Sequence, residues 1–292
     1  MRASVVKLGI LGAFAMISGC AGLAAEPLGA SVSAEGSDRF FTLEVDGGGY
    51  LVREANVDAE AARATKLVFE GPGLDEGTVA SIREANVTEL VLYGHLGPED
   101  PGTGTRTLIA SEVYRGMPGE KIAPGDGLYA VQKRIPHIEC ITAPCPQQVA
   151  VLLNATGREE IDRVSVDDFA GGILDESWLV KRLSHDSALV AGHVNDPNPA
   201  PRFEKLLVSS QVFVRLPEHR GPCEDIGTPR CSEGQATFQR TADRCLVFDR
   251  CVHSNFCAQQ RRLCPSGYTA VTWATAPNGC LSMACDPTFA LQ

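Results

Sequence analysis

From about residue 39 onward the chain alternates apolar and polar positions in short runs, the period of half-buried strands. Phe40 to Val45 and Tyr50 to Glu54 are the first two runs, and Asp46-Gly47-Gly48-Gly49 between them is a hairpin signal. Lys66 to Phe69 is a third. The period then changes: Val79 and Ile82, three apart, place one apolar face on a helix that runs to Ala85 from a cap at Asp75. Thr88 to Tyr93 and Thr107 to Tyr114 complete five strands.

The same order returns at an offset near 98 residues. Asn56 falls on Asn154, Val68 on Val166, Gly94-His95 on Gly192-His193, Leu108-Ile109 on Leu206-Leu207 and Ser111 on Ser209. Leu74-Asp75-Glu76 meets Leu174-Asp175-Glu176 with a two-residue slip. The second set of strands is Leu128 to Lys133, Val149 to Leu153, Arg163 to Val166, Ala188 to Ala191 and Leu206 to Phe213, with a helix over Asp175 to Leu183. We read a duplicated domain, covering 39–119 and 120–219.

Five strands with one helix between the third and fourth is the order of an OB-like barrel, and closure removes the edges that short strands expose. A flat sheet with a helix across it gives the same order. The expected class is therefore α+β and β-rich: two repeated five-stranded OB-like barrel domains, each with one helix, plus a small disulfide-rich C-terminal module over 220–292. In OB-like domains the first and last hairpin loops flank the usual binding face. The last loops here are Gly97 to Arg106 and Asn195 to Glu204. The first hairpin of the second copy is extended by Ile135 to Pro146, a stretch holding Cys140 and Cys145 around Pro144.

The N-terminus adds a destination. Arg2 and Lys7 precede an apolar run from Leu8 to Ile17, which is too short for a comfortable membrane span and of secretory-signal length. It ends Ile17-Ser18-Gly19-Cys20, the pattern of a bacterial lipobox, in which the signal over 1–19 is removed and Cys20 carries the acyl chains. Ordinary cleavage near Ala24-Ala25 is the alternative. Acyl chains hold a protein to a membrane by burying CH₂ groups at about 0.8 kcal/mol each. Ala21, rather than Asp, after the cysteine resembles outer-membrane sorting in a Gram-negative envelope. Residues 20–38 read as a flexible tether.

Of eleven cysteines, ten remain once Cys20 is set aside. Cys140 and Cys145 stand alone, and Cys223, Cys231, Cys245, Cys251, Cys257, Cys264, Cys280 and Cys285 crowd the tail. An even, dense set in an exported chain reads as disulfides. Zinc competes, through His137 near Cys140 and Cys145 and His253 near Cys251, but no CxxC pair is present. The tail is poor in aliphatic residues and leans on cross-links, with Trp273, Phe248, Phe256 and Tyr268 as its expected core. Eight cysteines allow 105 pairings, among which spacing does not choose. The tail serves either as a structural cap on the second copy or as a separate recognition module.

Arg240-Thr241-Ala242-Asp243-Arg244-Cys245-Leu246-Val247-Phe248, Cys251, Cys257, Cys264-Pro265-Ser266-Gly267-Tyr268, Trp273 and Ala284-Cys285-Asp286-Pro287-Thr288-Phe289 together resemble the C-terminal module of uncharacterised myxobacterial-type lipoproteins. Leu128-Tyr129 through Cys140-Ile141-Thr142-Ala143-Pro144-Cys145 to Asn154 is similar to the domain of unknown function in those proteins. The resemblance covers the second copy and the tail, and it implies no activity.

The net charge of −10 becomes −12 without Arg2 and Lys7, and the tail from Gly221 is balanced at six Arg against six acids. The acidic excess therefore lies in the body, which disfavours nucleic acid as a partner. Ser184-His185-Asp186 carries triad residue types, but neighbours in one turn do not make that geometry. GxSxG, HExxH and Walker patterns are missing, so no catalytic residue, cofactor or metal is expected. His95 and His193 share a repeat position and read as structural, and Asp75-Glu76 and Asp175-Glu176 read as helix starts. The expected function is a non-enzymatic, lipid-anchored binding or envelope-interaction protein, partnered by a membrane and by an envelope protein or small ligand. A secreted-type hydrolase and a protease inhibitor are the alternatives.

Overall fold

The first hairpin closes where the glycines allow it. Gly47 and Gly48 both take positive φ, so β1 (Arg39–Asp46) and β2 (Gly49–Glu54) meet across a two-residue turn with Asp46 opposite Gly49. The computed structural model describes residues 36–133, 147–166, 169, 174–195, 204–218, 223–225, 227, 229–253, 256–257 and 263–291. Cys20, Cys140 and Cys145 lie outside these residues.

β3 (Ala62–Phe69) starts four residues before the periodic run at Lys66 and pairs with β2. α1 (Glu76–Glu84) follows, with the Asp75 carboxylate accepting from the Thr78 backbone N–H at 2.8 Å. β4 (Leu90–Leu96) and β5 (Arg106–Gly116) complete the set. β1 pairs with β2 and β4, β4 with β5, and β5 runs parallel to β3, which closes a five-stranded barrel. Leu43, Val52, Ala64, Ile82, Leu92 and Leu108 fill its interior.

The next strands are β6 (Gly127–Lys133), β7 (Gln148–Leu152), β8 (Arg158–Ile161) and β9 (Arg163–Ser165). They are followed by α2 (Glu176–Leu183), β10 (Ala188–Asn195) and β11 (Leu206–Leu216). β6 pairs with β7 and β10, β7 with β8, β10 with β11, and β9 runs parallel to β11. β8 and β9 thus stand where the first half has β3. The sequence pattern begins this strand at Arg163, whereas pairing begins at Arg158 and breaks at Asp162. There the Asp162 N–H donates to the Lys205 carbonyl and its carboxylate accepts from the Lys205 N–H, leaving the ladder for one residue.

β5 and β11 pair antiparallel, Val113 opposite Leu216, and join the two halves in one sheet. This junction explains why Leu90-Val91-Leu92 and Ala188 to Ala191 are continuous apolar runs rather than alternating ones. Leu90, Leu92, Ala188 and Val190 face the interiors, while Val91, Leu189 and Ala191 pack between the halves with Tyr114, Leu128 and Phe213. An irregularity in the ladder recurs at the same place in each half, before Gly94 in β4 and before Gly192 in β10. A Cβ at Gly94 would lie 2.0 Å from the Ile109 carbonyl oxygen, and one at Gly192 would lie 2.2 Å from that of Val208.

The tail forms two hairpins, β12 (Gln235–Arg240) with β13 (Leu246–Val252) and β14 (Tyr268–Thr275) with β15 (Cys280–Pro287). Two disulfides hold each one: Cys223–Cys245 and Cys231–Cys251 on the first, Cys257–Cys280 and Cys264–Cys285 on the second. Within each group of four the first cysteine joins the third and the second joins the fourth. The expected aromatic core is corrected in part. Tyr268 is buried, but Phe248 lies on an open face and Phe256 is 97% exposed. A two-stranded ribbon covers only one of its faces, so the interior comes from Thr237, Cys245, Cys285 and Ala290 with Phe289.

Candidate functional site

Two elements of the second half meet the tail through buried ions. Glu218 follows β11, and its carboxylate accepts from Arg182 of α2 at 2.8 and 2.9 Å and from the Trp178 indole N–H at 2.9 Å. Arg244 of the tail reaches the same carboxylate at 3.5 Å, donates to the Ala290 carbonyl at 2.6 Å and stacks on the Trp178 ring. Burial pushes the Arg244 guanidinium below its ordinary value, against the pull of Glu218 and Asp286. Beside this group Arg240 pairs with Asp286 and, at 3.3 Å, with Asp175. At the rim, Lys181 bonds both oxygens of Asp243 at 2.7 Å and holds its carboxyl below the ordinary value. A parallel bridge between Leu174 and Cys285 adds backbone contact to the second hairpin.

On this docked base the two hairpins leave an open groove of about 660 Å³. One wall is Phe238, Gln239 and Arg240 of β12 with Asp249 and Arg250 of β13, and the other is Trp273 of β14 with the turn that follows it. The Arg240 guanidinium stands over the Trp273 ring, 5.4 Å from its centroid, which holds the indole in place. Arg250 is exposed and bonds Asp249 at 3.3 Å. The groove therefore combines an aromatic plate with paired donors and acceptors.

A second, smaller cavity of about 180 Å³ lies where the halves join, lined by Ser111, Glu112, Arg215 and Pro217. The Tyr114 hydroxyl donates to Glu112, and burial, with that carboxylate, pushes the phenol well above its ordinary value. It is smaller than the usual range for a small-molecule pocket.

The residues singled out from sequence fall as follows. His95 and His193 do similar work, each placing Nδ1 3.0 Å from a carboxylate, that of Asp38 or Asp126. Asp175 caps α2, accepting from the Trp178 N–H at 3.3 Å, and also meets Arg240. Ser184 Oγ lies 3.1 Å from His185 Nδ1, but the Lys181 carbonyl accepts at 2.8 Å from that nitrogen and at 3.0 Å from the serine. A nitrogen that donates to a carbonyl does not take a serine proton. All eight tail cysteines are in disulfides.

Arg182, Glu218, Arg240 and Arg244 escape a sequence reading, as does Gln211, whose buried amide bonds the backbone of Met117 and Glu120. One compositional sign pointed at the tail arginines: that segment uses Arg and no Lys, and the guanidinium suits buried bidentate pairs.

Comparison with known proteins gives relatives without an assigned activity. The chain is 29% identical over 247 residues to an uncharacterised protein of Dictyostelium discoideum, covering 82% of this chain and 81% of that protein. No solved structure matches it. The profile of a domain of unknown function, DUF6748, matches residues 48–219, taking in the first half as well as the second and stopping short of the cysteine-rich tail. With all but the first strand of the two halves inside that match, the chain belongs to the DUF6748 family.

Proposed function

We propose that this protein is an exported, lipid-anchored binding protein that uses its tail groove to hold a component of the cell envelope. The observation that carries the reading is the groove itself, about 660 Å³, whose Trp273 plate is fixed by Arg240 and whose walls are each held by two disulfides. Rigid walls lower the ordering cost of binding. The tail is then both of the things its sequence suggests, a cap docked on α2 and a recognition module presented by that dock.

In this reading both halves are OB-like barrels derived from one ancestor. The pairing order of the strands, the glycine irregularities and the matched His–Asp pairs support it. Export rests on the lipobox ending at Cys20. Cys20→Ala removes the acceptor of the acyl chains, so that variant leaves the detergent phase on partitioning; partitioning like the wild type would end the anchor.

The binding reading is tested by incubating the mature chain, prepared without its acyl chains, with an envelope fraction of the producing cells. Retention falls in Trp273→Ala and Arg250→Ala. Equal retention of wild type and both variants would overturn it.

A further inference from the structure

We infer that the ligand of the tail groove is a neutral glycan strand, an assignment that rests on the binding reading above. The argument begins with charge. Arg240 is matched by Asp286 and Asp175, and Arg250 by Asp249, so neither an anion nor a cation gains an uncompensated partner there. A phosphate, a nucleic acid or an acidic peptide would have to break one of these pairs to bind. A neutral ligand leaves them intact.

The lining then asks for a ligand that is apolar on one face and polar at its edges. Trp273 is half-buried in the groove lining, with the Arg240 guanidinium over one face of its indole, 5.4 Å from the centroid. Sugar rings carry patches of weakly positive C–H groups that suit the negative face of an aromatic ring. Around that plate, Asp249 supplies acceptors, Arg250 supplies donors, and Gln239 supplies both. An adjacent donor and acceptor fit neighbouring hydroxyls, each of which both gives and accepts. A groove that is open along its length admits a chain, where a closed pocket would take a single small molecule.

The protein carries its own reporter. It has two tryptophans, and Trp178 is fully buried under Arg244, so a ligand in the groove changes the emission of Trp273. The mature chain, prepared without its acyl chains, is titrated with N-acetylchitohexaose, cellohexaose and maltohexaose, and its retention is measured on envelope fractions treated with protease or with a mixture of lysozyme, cellulase and amylase. At least one hexasaccharide gives a saturable emission change, insensitive to salt, and Trp273→Ala and the surface variant Arg250→Ala weaken binding about tenfold. Retention survives protease and is lost after the glycosidase mixture, which cuts all three kinds of strand. Trp273-dependent retention that survives the glycosidase mixture would overturn the glycan assignment and leave the binding reading standing. Retention that never depends on Trp273 would overturn both.

Discussion

Asn56 and Asn154 hold each other's half of the molecule. Asn56 sits in the first half, yet its amide donates to the Leu128 and Leu153 carbonyls at 2.7 and 3.0 Å and accepts from the Leu128 N–H at 2.8 Å. Asn154, in the second half, donates to the Phe40 and Ala55 carbonyls at 2.7 and 3.2 Å and accepts from the Phe40 N–H at 2.9 Å. Both adopt left-handed backbone, at φ +59° and +55°, a region Asn enters more readily than most residues. One residue type thus meets two demands, a turn and a three-bond clasp.

Replacing either asparagine by alanine strands backbone groups between the halves, and we expect a loss of about 2–3 kcal/mol in urea unfolding. Glycine relieves the backbone without restoring the bonds, so Asn56→Gly is expected to lie about 1 kcal/mol above Asn56→Ala. A loss below about 0.5 kcal/mol, the range of ordinary surface changes, would show that the clasp carries no weight.

Glu218→Ala leaves Arg182 and Arg244 buried without their shared carboxylate. Breaking one side of a buried pair costs about 3–5 kcal/mol. The loss falls on the tail dock, so limited proteolysis should cut residues 223–291 at protease levels that spare the wild-type tail. Wild-type resistance in the variant would mean that the apolar contacts alone hold the dock.

Acid should loosen the same dock from its rim. The Lys181 hydrogen bonds hold the Asp243 carboxyl below its ordinary value of 3.8. A depressed folded-state value adds stability at pH above the unfolded one, and that stability is lost as pH falls below 3.8 toward the folded one. Asp243→Asn is therefore less stable than wild type at neutral pH, and the gap closes in acid. Asp243 is partly exposed, so the gap is small. A difference that stays constant from pH 7 to pH 2 would exclude this ion pair as its source.

Reduction should open the tail before the body. Its four disulfides each close a loop of 20 to 23 residues, worth about 3 kcal/mol apiece in chain-entropy terms. The body has an apolar interior of its own. With increasing reductant, thiol labelling should appear at Cys231 and Cys251 before Cys285, which is fully buried. Loss of the body's strands at the same reductant concentration would show that body and tail unfold as one.

Much of the body was legible because its signals are local. Alternation over Phe40 to Val45, the three-residue step from Val79 to Ile82 and the capping carboxylates of Asp75 and Asp175 each act within a few residues. Repetition strengthened them, since a pattern met twice at one offset brings Asn56 and Asn154 to notice before any contact is known. The third strand of the second half was read short because Arg158 to Ile161 is largely charged, and its place in the ladder comes from pairing with β7.

What the sequence determined by itself is most of the order of strands and helices in the body, the recurrence of its pattern at one offset and the reliance of the tail on cysteine cross-links. These follow from side-chain period, backbone preference and the small apolar content of the tail. Only the tertiary structure decided which cysteines pair, that Phe248 and Phe256 face outward, and that Asn56 and Asn154 bond across rather than within their halves. It alone brought Arg182, Glu218 and Arg244, with 62 positions from first to last, into one buried cluster. Whether a charge is buried depends on the partner that packs against it, and partners distant in sequence meet only when whole faces come together.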